Sequence, residues 1–154
     1  MAVALKVVKI ESAHTTISKE EIQKYFEGRN IAAILIRSSY NTNPDIKKTF
    51  ELLKLTKKNS LGLFKDNVTT KGMLRKIKDY ITFGYVDNSV IDLVLSKKNP
   101  IKRDNKGEFY ITNIFSMEPP RGGFERKGIK KPYTVGGALG NRKDGMKDLI
   151  SKMI

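Results

Sequence analysis

The stretch of sequence that decides the fold reads IAAILIRSSYNTNPDIKKTFELLKLTKKNSLGLF and spans residues 31–64. It opens with Ile31–Ile36, a continuous apolar run that is too short for a helix and typical of a buried strand. It closes with a polar turn over Lys57–Ser60, after which we predict a second strand over Leu61–Lys65. The two strands are close enough in sequence to belong to one sheet.

Two amphipathic helices are predicted around the second strand. The first has Asn43 as its N-cap and Pro44 in its first turn, and its apolar face consists of Ile46, Phe50 and Leu53. The second is predicted to begin at Thr69 or Thr70 and to end at Gly84. Its inner face is Met73, Ile77 and Tyr80, flanked by Leu74 and Ile81. The order strand, helix, strand, helix predicts an α/β layer in which helices pack on a sheet.

Residues 1–30 precede this core and are predicted to form a strand and then a helix. The strand is indicated by apolar residues that alternate along the chain, at Val3, Leu5 and Val7. The helix is predicted to begin at Ser18, which is followed by Glu21 at the spacing of a capping box, and to end at Gly28. We therefore treat residues 1–30 as an N-terminal strand–helix extension.

The core is predicted to continue to residue 118, with a short apolar helix near Val90–Leu95, a basic loop over Lys97–Glu108 and a strand over Phe109–Met117. Residues 119–154 form a basic extension whose first part is rich in glycine and proline. Such a segment has few side chains with which to build its own core. The extension is predicted to end in an amphipathic helix with an apolar face of Met146, Leu149, Ile150 and Met153.

The composition excludes several classes of protein. The chain has 154 residues and a net charge of +14, which favours a polyanionic partner, nucleic acid first and an acidic membrane surface second. It has no cysteine and one histidine, His14, which excludes disulfide scaffolds, cysteine nucleophiles and zinc sites built from several Cys or His ligands. The acidic residues form no general acid–base or metal-binding motif. We predict no catalysis, no cofactor, no metal and no small-molecule substrate.

No apolar run approaches the roughly 20 residues that span a bilayer. The N-terminal residues also lack the long apolar stretch of a secretory signal. We predict a cytoplasmic protein without a membrane partner. A membrane-surface helix is disfavoured because Asp144 and Asp148 accompany Lys147 and Lys152 on the last helix.

Two basic features are candidates for nucleic-acid binding. On the second core helix, Lys71, Arg75 and Lys78 recur at the spacing of one face, so that repeated cations would meet repeated phosphates. In the segment PPRGGF, at residues 119–124, glycines allow close approach of the backbone to a phosphate, and Phe124 can stack on a base. The alternatives are a solvated lysine-rich face for the helix and a disordered basic linker or a plain turn for the segment.

A third feature is the run GGALG at residues 136–140. It lacks the Lys-Ser/Thr ending of a P-loop and the strand context of a dinucleotide-binding loop. Asn141 is predicted to cap the last helix, whose positive N-terminus would suit an anion together with Arg142 and Lys143. An RNA phosphate, a mononucleotide and a simple turn remain the alternatives at this run.

Two blocks of sequence, in the same order, resemble the large-subunit ribosomal protein L-thirty family, which is called L-seven in eukaryotes. The first block is ILIR at 34–37, NPDIKKTFELLKL at 43–55, KGML at 71–74 and KDYITFG at 78–84. The second block resembles the extended archaeal form, with PPRGGF at 119–124, GIKKPYTVGGALG at 128–140 and DLISKMI at 148–154. The chain departs from the family pattern at Ser38 and at 141–143, and residues 1–30 have no recognised counterpart.

The resemblance implies a ferredoxin-like α/β core over 31–118 with a C-terminal extension over 119–154. It implies a structural role in the large ribosomal subunit, where the protein binds rRNA, with neighbouring ribosomal proteins and 5S rRNA as further partners. The extension would then become ordered on binding. The predicted RNA-binding residues are Arg37, Lys47, Lys48, Lys57, Lys58, Lys71, Arg75, Lys78, Arg121, Gly122, Gly123, Phe124, Arg126, Lys127, Lys130, Lys131 and Arg142. A free-standing DNA- or RNA-binding regulator is the alternative function.

Overall fold

The computed structural model of the chain describes residues 17–154. The five helices are α1 (Lys19–Phe26), α2 (Pro44–Leu52), α3 (Val68–Lys76), α4 (Asn88–Lys97) and α5 (Met146–Met153). The seven strands are β1 (Ile31–Leu35), β2 (Ser60–Phe64), β3 (Ile81–Tyr85), β4 (Ile101–Arg103), β5 (Phe109–Ile111), β6 (Ile114–Ser116) and β7 (Gly140–Asn141). The strand predicted at Val3–Val7 and the residue His14 lie outside the described residues.

Strand β1 is the centre of a five-stranded sheet in the order β6-β2-β1-β3-β7. It pairs antiparallel with both β2 and β3, and β7 adds a short parallel pairing at the β3 edge. Strands β4 and β5 form a separate hairpin. This mixed α/β architecture, with its flanking additions, confirms the predicted fold class.

Helices cover both faces of the sheet, which explains why β1 shows no alternation of apolar and polar residues. Ile31, Ala33 and Leu35 pack against α2 and α3 on one face. Ala32 and Ile34 point to the opposite face, where α1, α4 and α5 pack together. The terminal helix thus uses its predicted apolar face, since Met146, Leu149, Ile150 and Met153 are all buried there.

Both predicted caps at the start of α1 and α2 are confirmed. Ser18 accepts a hydrogen bond from the backbone of Glu21, whose carboxylate in turn accepts one from the Ser18 backbone. Asn43 accepts a hydrogen bond from the backbone N–H of Asp45, and Pro44 occupies the first turn of α2. Helix α3 instead has Asn67 as its N-cap, so the prediction of Thr69 or Thr70 was wrong.

The prediction that the second core helix continues to Gly84 was also wrong. Helix α3 ends at Lys76, and Ile81–Tyr85 form strand β3. The apolar spacing of Tyr80 and Ile81 fits a helix, but pairing with β1 satisfies the backbone of this segment. Gly84 allows the segment before α5 to approach β3 closely, because a Cβ atom there would lie 2.5 Å from the carbonyl oxygen of Lys143.

The strand predicted over Phe109–Met117 is divided in two. Strand β5 pairs with β4, which forms within the predicted basic loop, whereas β6 pairs with β2 in the main sheet. The division falls at Asn113, whose backbone carbonyl accepts a hydrogen bond from Leu63 and whose side-chain amide donates one to the Leu63 carbonyl. The apolar pattern does not indicate this change of partner, because it depends on strands that are brought together by the tertiary fold.

The C-terminal extension packs on the sheet edge and on the helices. Ala138 and Leu139 are buried against Ile36, and β7 pairs with β3. Asn141 belongs to β7 and accepts a hydrogen bond from the backbone of Lys143, so it does not cap α5 as predicted. The extension thus packs on the core of the sheet, and its ordering on RNA binding stays a prediction.

Candidate nucleic-acid interface

A groove of about 280 Å³, here called the α3 groove, lies between α3 and the sheet edge formed by β3 and β7. Three of the predicted RNA-binding cations line it, Lys71, Arg75 and Lys78. Two aromatic side chains of β3, Phe83 and Tyr85, line it as well. The groove therefore combines cations with aromatic surface, which are the two features that bind a nucleic-acid strand.

The packing of α3 determines which of its residues reach the groove. Leu74 and Ile77 are fully buried against the sheet, which leaves Lys71 and Arg75, one turn apart, beside the β3 edge. Lys78 was predicted on the same helix but lies beyond its end, in the turn that leads to β3. The turn nevertheless brings Lys78 to the groove, so the three cations converge there although they do not share one helix.

Lys71 is engaged within the protein. Its ammonium lies 2.6 Å from the Asp66 carboxylate and 5.7 Å from the centre of the Tyr85 ring. The hydrogen bond to Asp66, followed by the interaction with Tyr85, raises the pKa of Lys71 above its ordinary value. Arg75 and Lys78 are exposed and form no ion pair with another residue of 17–154. They are the groove's available cations.

The remaining predicted cations do not line the groove. Lys47 and Lys48 are exposed on α2, Lys57 and Lys58 are exposed in the turn before β2, and Arg121, Arg126, Lys127, Lys130 and Lys131 lie on the surface of the extension. Arg37 is half-buried, because its guanidinium donates a hydrogen bond to the Asp79 carbonyl at 3.3 Å and lies over the Tyr80 ring. Its role is therefore partly internal.

The segment PPRGGF divides into an open part and an anchored part. Gly122 and Gly123 are exposed with φ near +80°, and a Cβ atom at either would meet no atom within 4 Å. The Gly123 N–H already donates a hydrogen bond to the Pro120 carbonyl at 3.0 Å, so the Gly122 N–H is the one of the two that stays available for a phosphate. Phe124 is half-buried and packs against two clusters of core residues, one that contains Met153 and one that contains Ala138. Its predicted stacking on a base is corrected, since packing already occupies the ring.

Arg142 is also removed from the predicted RNA-binding set. Only 4% of it is exposed, and its guanidinium forms a bidentate ion pair with Glu125. It also donates hydrogen bonds to the Thr82 hydroxyl at 2.8 Å and to the Ala138 carbonyl, and it lies 4.9 Å from the Tyr133 ring centre. We call this set of contacts the Arg142 clamp. It ties the extension to β3.

One feature of the sequence points to the clamp, although the excess of cations in the extension makes it easy to overlook. Glu125 is the only acidic residue between Pro119 and Lys143. A single carboxylate among so many cations indicates an internal partner, but the sequence does not identify which cation it takes. The fold selects Arg142 because β7 brings that residue beside Thr82 in β3.

We expect the Arg142 clamp to make stability depend on acidic pH. Burial raises the pKa of Glu125, but the hydrogen bond and charge of Arg142 outweigh it, so the pKa lies below its ordinary value of 4.5. A lowered carboxyl pKa stabilises the fold above pH 4.5, and this stabilisation is lost as pH falls through the folded-state pKa. Urea unfolding of wild type and Glu125→Gln across this range measures the effect. Parallel pH profiles of the two proteins would contradict it.

The described part of the chain contains neither a helix that could span a membrane nor a cluster of side chains that could hold a metal. Within residues 17–154, no helix combines the length and apolar character that crossing a membrane requires. The same residues contain no group of three or more His, Asp or Glu side chains arranged to hold a metal ion.

Comparison with known proteins identifies one family. The family model described as ribosomal protein L30p/L7e matches residues 31–81, which run from β1 to the start of β3. Large ribosomal subunit protein uL30 of Methanopyrus kandleri is 34% identical over 77% of this chain and 100% of its own length. The uL30 of Nanoarchaeum equitans is 30% identical over 80% of this chain and 97% of its own length. That of Methanococcus maripaludis is 28% identical over 80% and 98%.

Proposed function

Because this chain belongs to the ribosomal protein L30p/L7e family, we propose that its α3 groove and its basic extension bind ribosomal RNA within the large ribosomal subunit. The protein is a structural constituent of that subunit, and its partners are ribosomal RNA and other ribosomal proteins. The observation that carries the RNA-binding surface is the position of Arg75 and Lys78, exposed beside the sheet edge of a chain with a net charge of +14.

A structural role is favoured over a free-standing nucleic-acid-binding regulator. The archaeal relatives, matched over nearly their whole length, carry the name of a large-subunit protein. The packed basic extension also supports this choice, because it presents a fixed surface suited to a permanent site. The family's relatives are structural proteins, and we propose no catalytic role.

Three finer assignments belong to the same proposal. The exposed cations of α2, of the turn before β2 and of the extension enlarge the RNA contact around the α3 groove. The chain divides functionally into an added segment at 1–30, an RNA-binding core at 31–118 and an extension at 119–154. By its resemblance to the family, 5S rRNA is among the RNAs contacted.

Sedimentation of a cell lysate through sucrose gradients tests the ribosomal role. We expect the protein to migrate with the large subunit at low salt and to remain there after a high-salt wash, because permanent embedding buries many phosphate contacts together. Ultraviolet crosslinking in that fraction, followed by sequencing of the attached RNA, tests the 5S assignment. Recovery of the protein only in light fractions would favour the regulator.

A further inference from the structure

We propose that the α3 groove receives one unpaired nucleotide of RNA, whose base stacks against Tyr85 while its flanking phosphates lie beside Arg75 and Lys78. This inference rests on the proposed function, because it specifies the RNA feature that the same surface binds. A fully paired stem would contact only the rim of the groove, whereas a nucleotide that leaves the stack would enter it.

The first step concerns the aromatic surface. Tyr85 is 46% exposed although its ring is large and mostly apolar. Its register opposite Ile31 places it on the α3 side of the sheet, and Phe83, opposite Ala33, lies on the same side deeper in the groove. Unpaired RNA bases are recognised by stacking on such rings, because the base faces are hidden within a paired helix.

The second step is that the Tyr85 ring is held in position before any ligand arrives. The Lys71 ammonium lies between the Asp66 carboxylate, at 2.6 Å, and the Tyr85 ring, at 5.7 Å from its centre. The ion pair fixes Lys71 beside Asp66, which precedes α3, and the contact of its ammonium with the Tyr85 ring joins α3 to the end of β3. A ring that is already oriented loses little freedom when a base stacks on it.

The third step concerns the shape and polarity of the groove. At Gly140 a Cβ atom would meet nothing within 4 Å, so this part of the groove is open. Asn141 uses its side-chain oxygen to accept a hydrogen bond from Lys143, which directs the amide nitrogen to another acceptor such as a base edge or ribose hydroxyl. Arg75 and Lys78 supply positive charge at the α3 rim. The groove thus offers an aromatic ring for the base, an amide for a base edge or ribose hydroxyl, and two cations for the flanking phosphates.

Binding of two short RNA hairpins, one fully paired and one with a single bulged 2-aminopurine, tests the inference. We expect wild type to bind the bulged hairpin about tenfold more tightly, and the fluorescence of the 2-aminopurine to change as it stacks. Tyr85→Leu should lose both the preference and the fluorescence change, so that it binds the bulged and the paired hairpin with equal affinity. Tyr85→Phe should retain them.

Tyr110→Leu is the matched control, because Tyr110 is 45% exposed but lies on the β4–β5 hairpin. It should behave as wild type, and circular dichroism should show all variants folded. Equal binding of both hairpins by wild type would overturn the inference and leave the proposed function intact. Failure to bind either hairpin at low salt would count against the proposed RNA-binding surface itself. Release of the bulged hairpin by equimolar AMP would assign the groove to a free nucleotide and overturn the RNA assignment.

Discussion

Replacement of Arg142 by leucine is expected to lower the free energy of unfolding by about 2–4 kcal/mol. The change leaves the Glu125 carboxylate without its bidentate partner and takes hydrogen bonds from Thr82 and Ala138. The loss falls below that of a fully buried unpaired charge, because the Glu125 side chain is 27% exposed. A chain of this length loses about 2–4 °C in Tm per kcal/mol, so the Tm of Arg142→Leu should lie about 4–16 °C below that of wild type.

Two further variants distinguish the loss of the clamp's contacts from the general effect of removing an arginine. Arg121→Leu removes an exposed arginine from the same extension and should change stability by less than about 0.5 kcal/mol. Arg142→Lys keeps the charge but loses the planar fork that matches a carboxylate, so it should restore only part of the stability. A wild-type melting curve for Arg142→Leu would show that the clamp does not support the extension.

The double substitution Arg75→Glu with Lys78→Glu is expected to lower affinity for RNA about 100-fold at about 0.1 M salt. It replaces the two groove cations that have no ion-pair partner among residues 17–154 with carboxylates that repel phosphate. Lys71 is left unchanged, because its replacement by glutamate would place a second carboxylate beside Asp66. Binding measured over a range of salt should also show the log–log salt slope reduced by about 2.

The matched control is Lys102→Glu with Lys106→Glu, which changes two exposed lysines of the β4–β5 hairpin. Each double variant loses four units of charge, so both chains fall from +14 to +10. The hairpin variant should retain most of the RNA affinity, and circular dichroism should show both variants folded. An equal loss in both variants would indicate that net charge alone, and not the α3 groove, provides the binding.

Elements with a clear local pattern were predictable from the sequence. The apolar run of β1, the Asn43-Pro44 start of α2 and the apolar face of α5 all lie where the pattern places them. Each depends on interactions within one turn or on burial that a periodic or continuous apolar run records directly. The excess of cations likewise indicates a polyanionic partner, because net charge depends on composition and not on the path of the chain.

The RNA-binding set shows where residue type alone is insufficient. Arg75 and Arg142 are both arginines in basic surroundings, yet one is exposed in a groove and the other is buried in an ion pair. Phe124 looks like a base-stacking residue, but packing against the core occupies it, whereas Tyr85 was not singled out and lines the groove. These differences depend on neighbours that are distant in sequence.

The sequence by itself determined the α/β class, the buried central strand, the capped helices and the charge that suits RNA, because these follow from local spacing and composition. Tertiary structure alone decided that residues 81–85 form a strand, that residues 109–117 serve two sheets and that Arg142 closes a clamp. In the clamp, Arg142 meets Glu125, 17 residues away, and Thr82, 60 residues away, and in the main sheet β3 and β6 pair with strands that are distant in the sequence. A local pattern carries no record of such a partner.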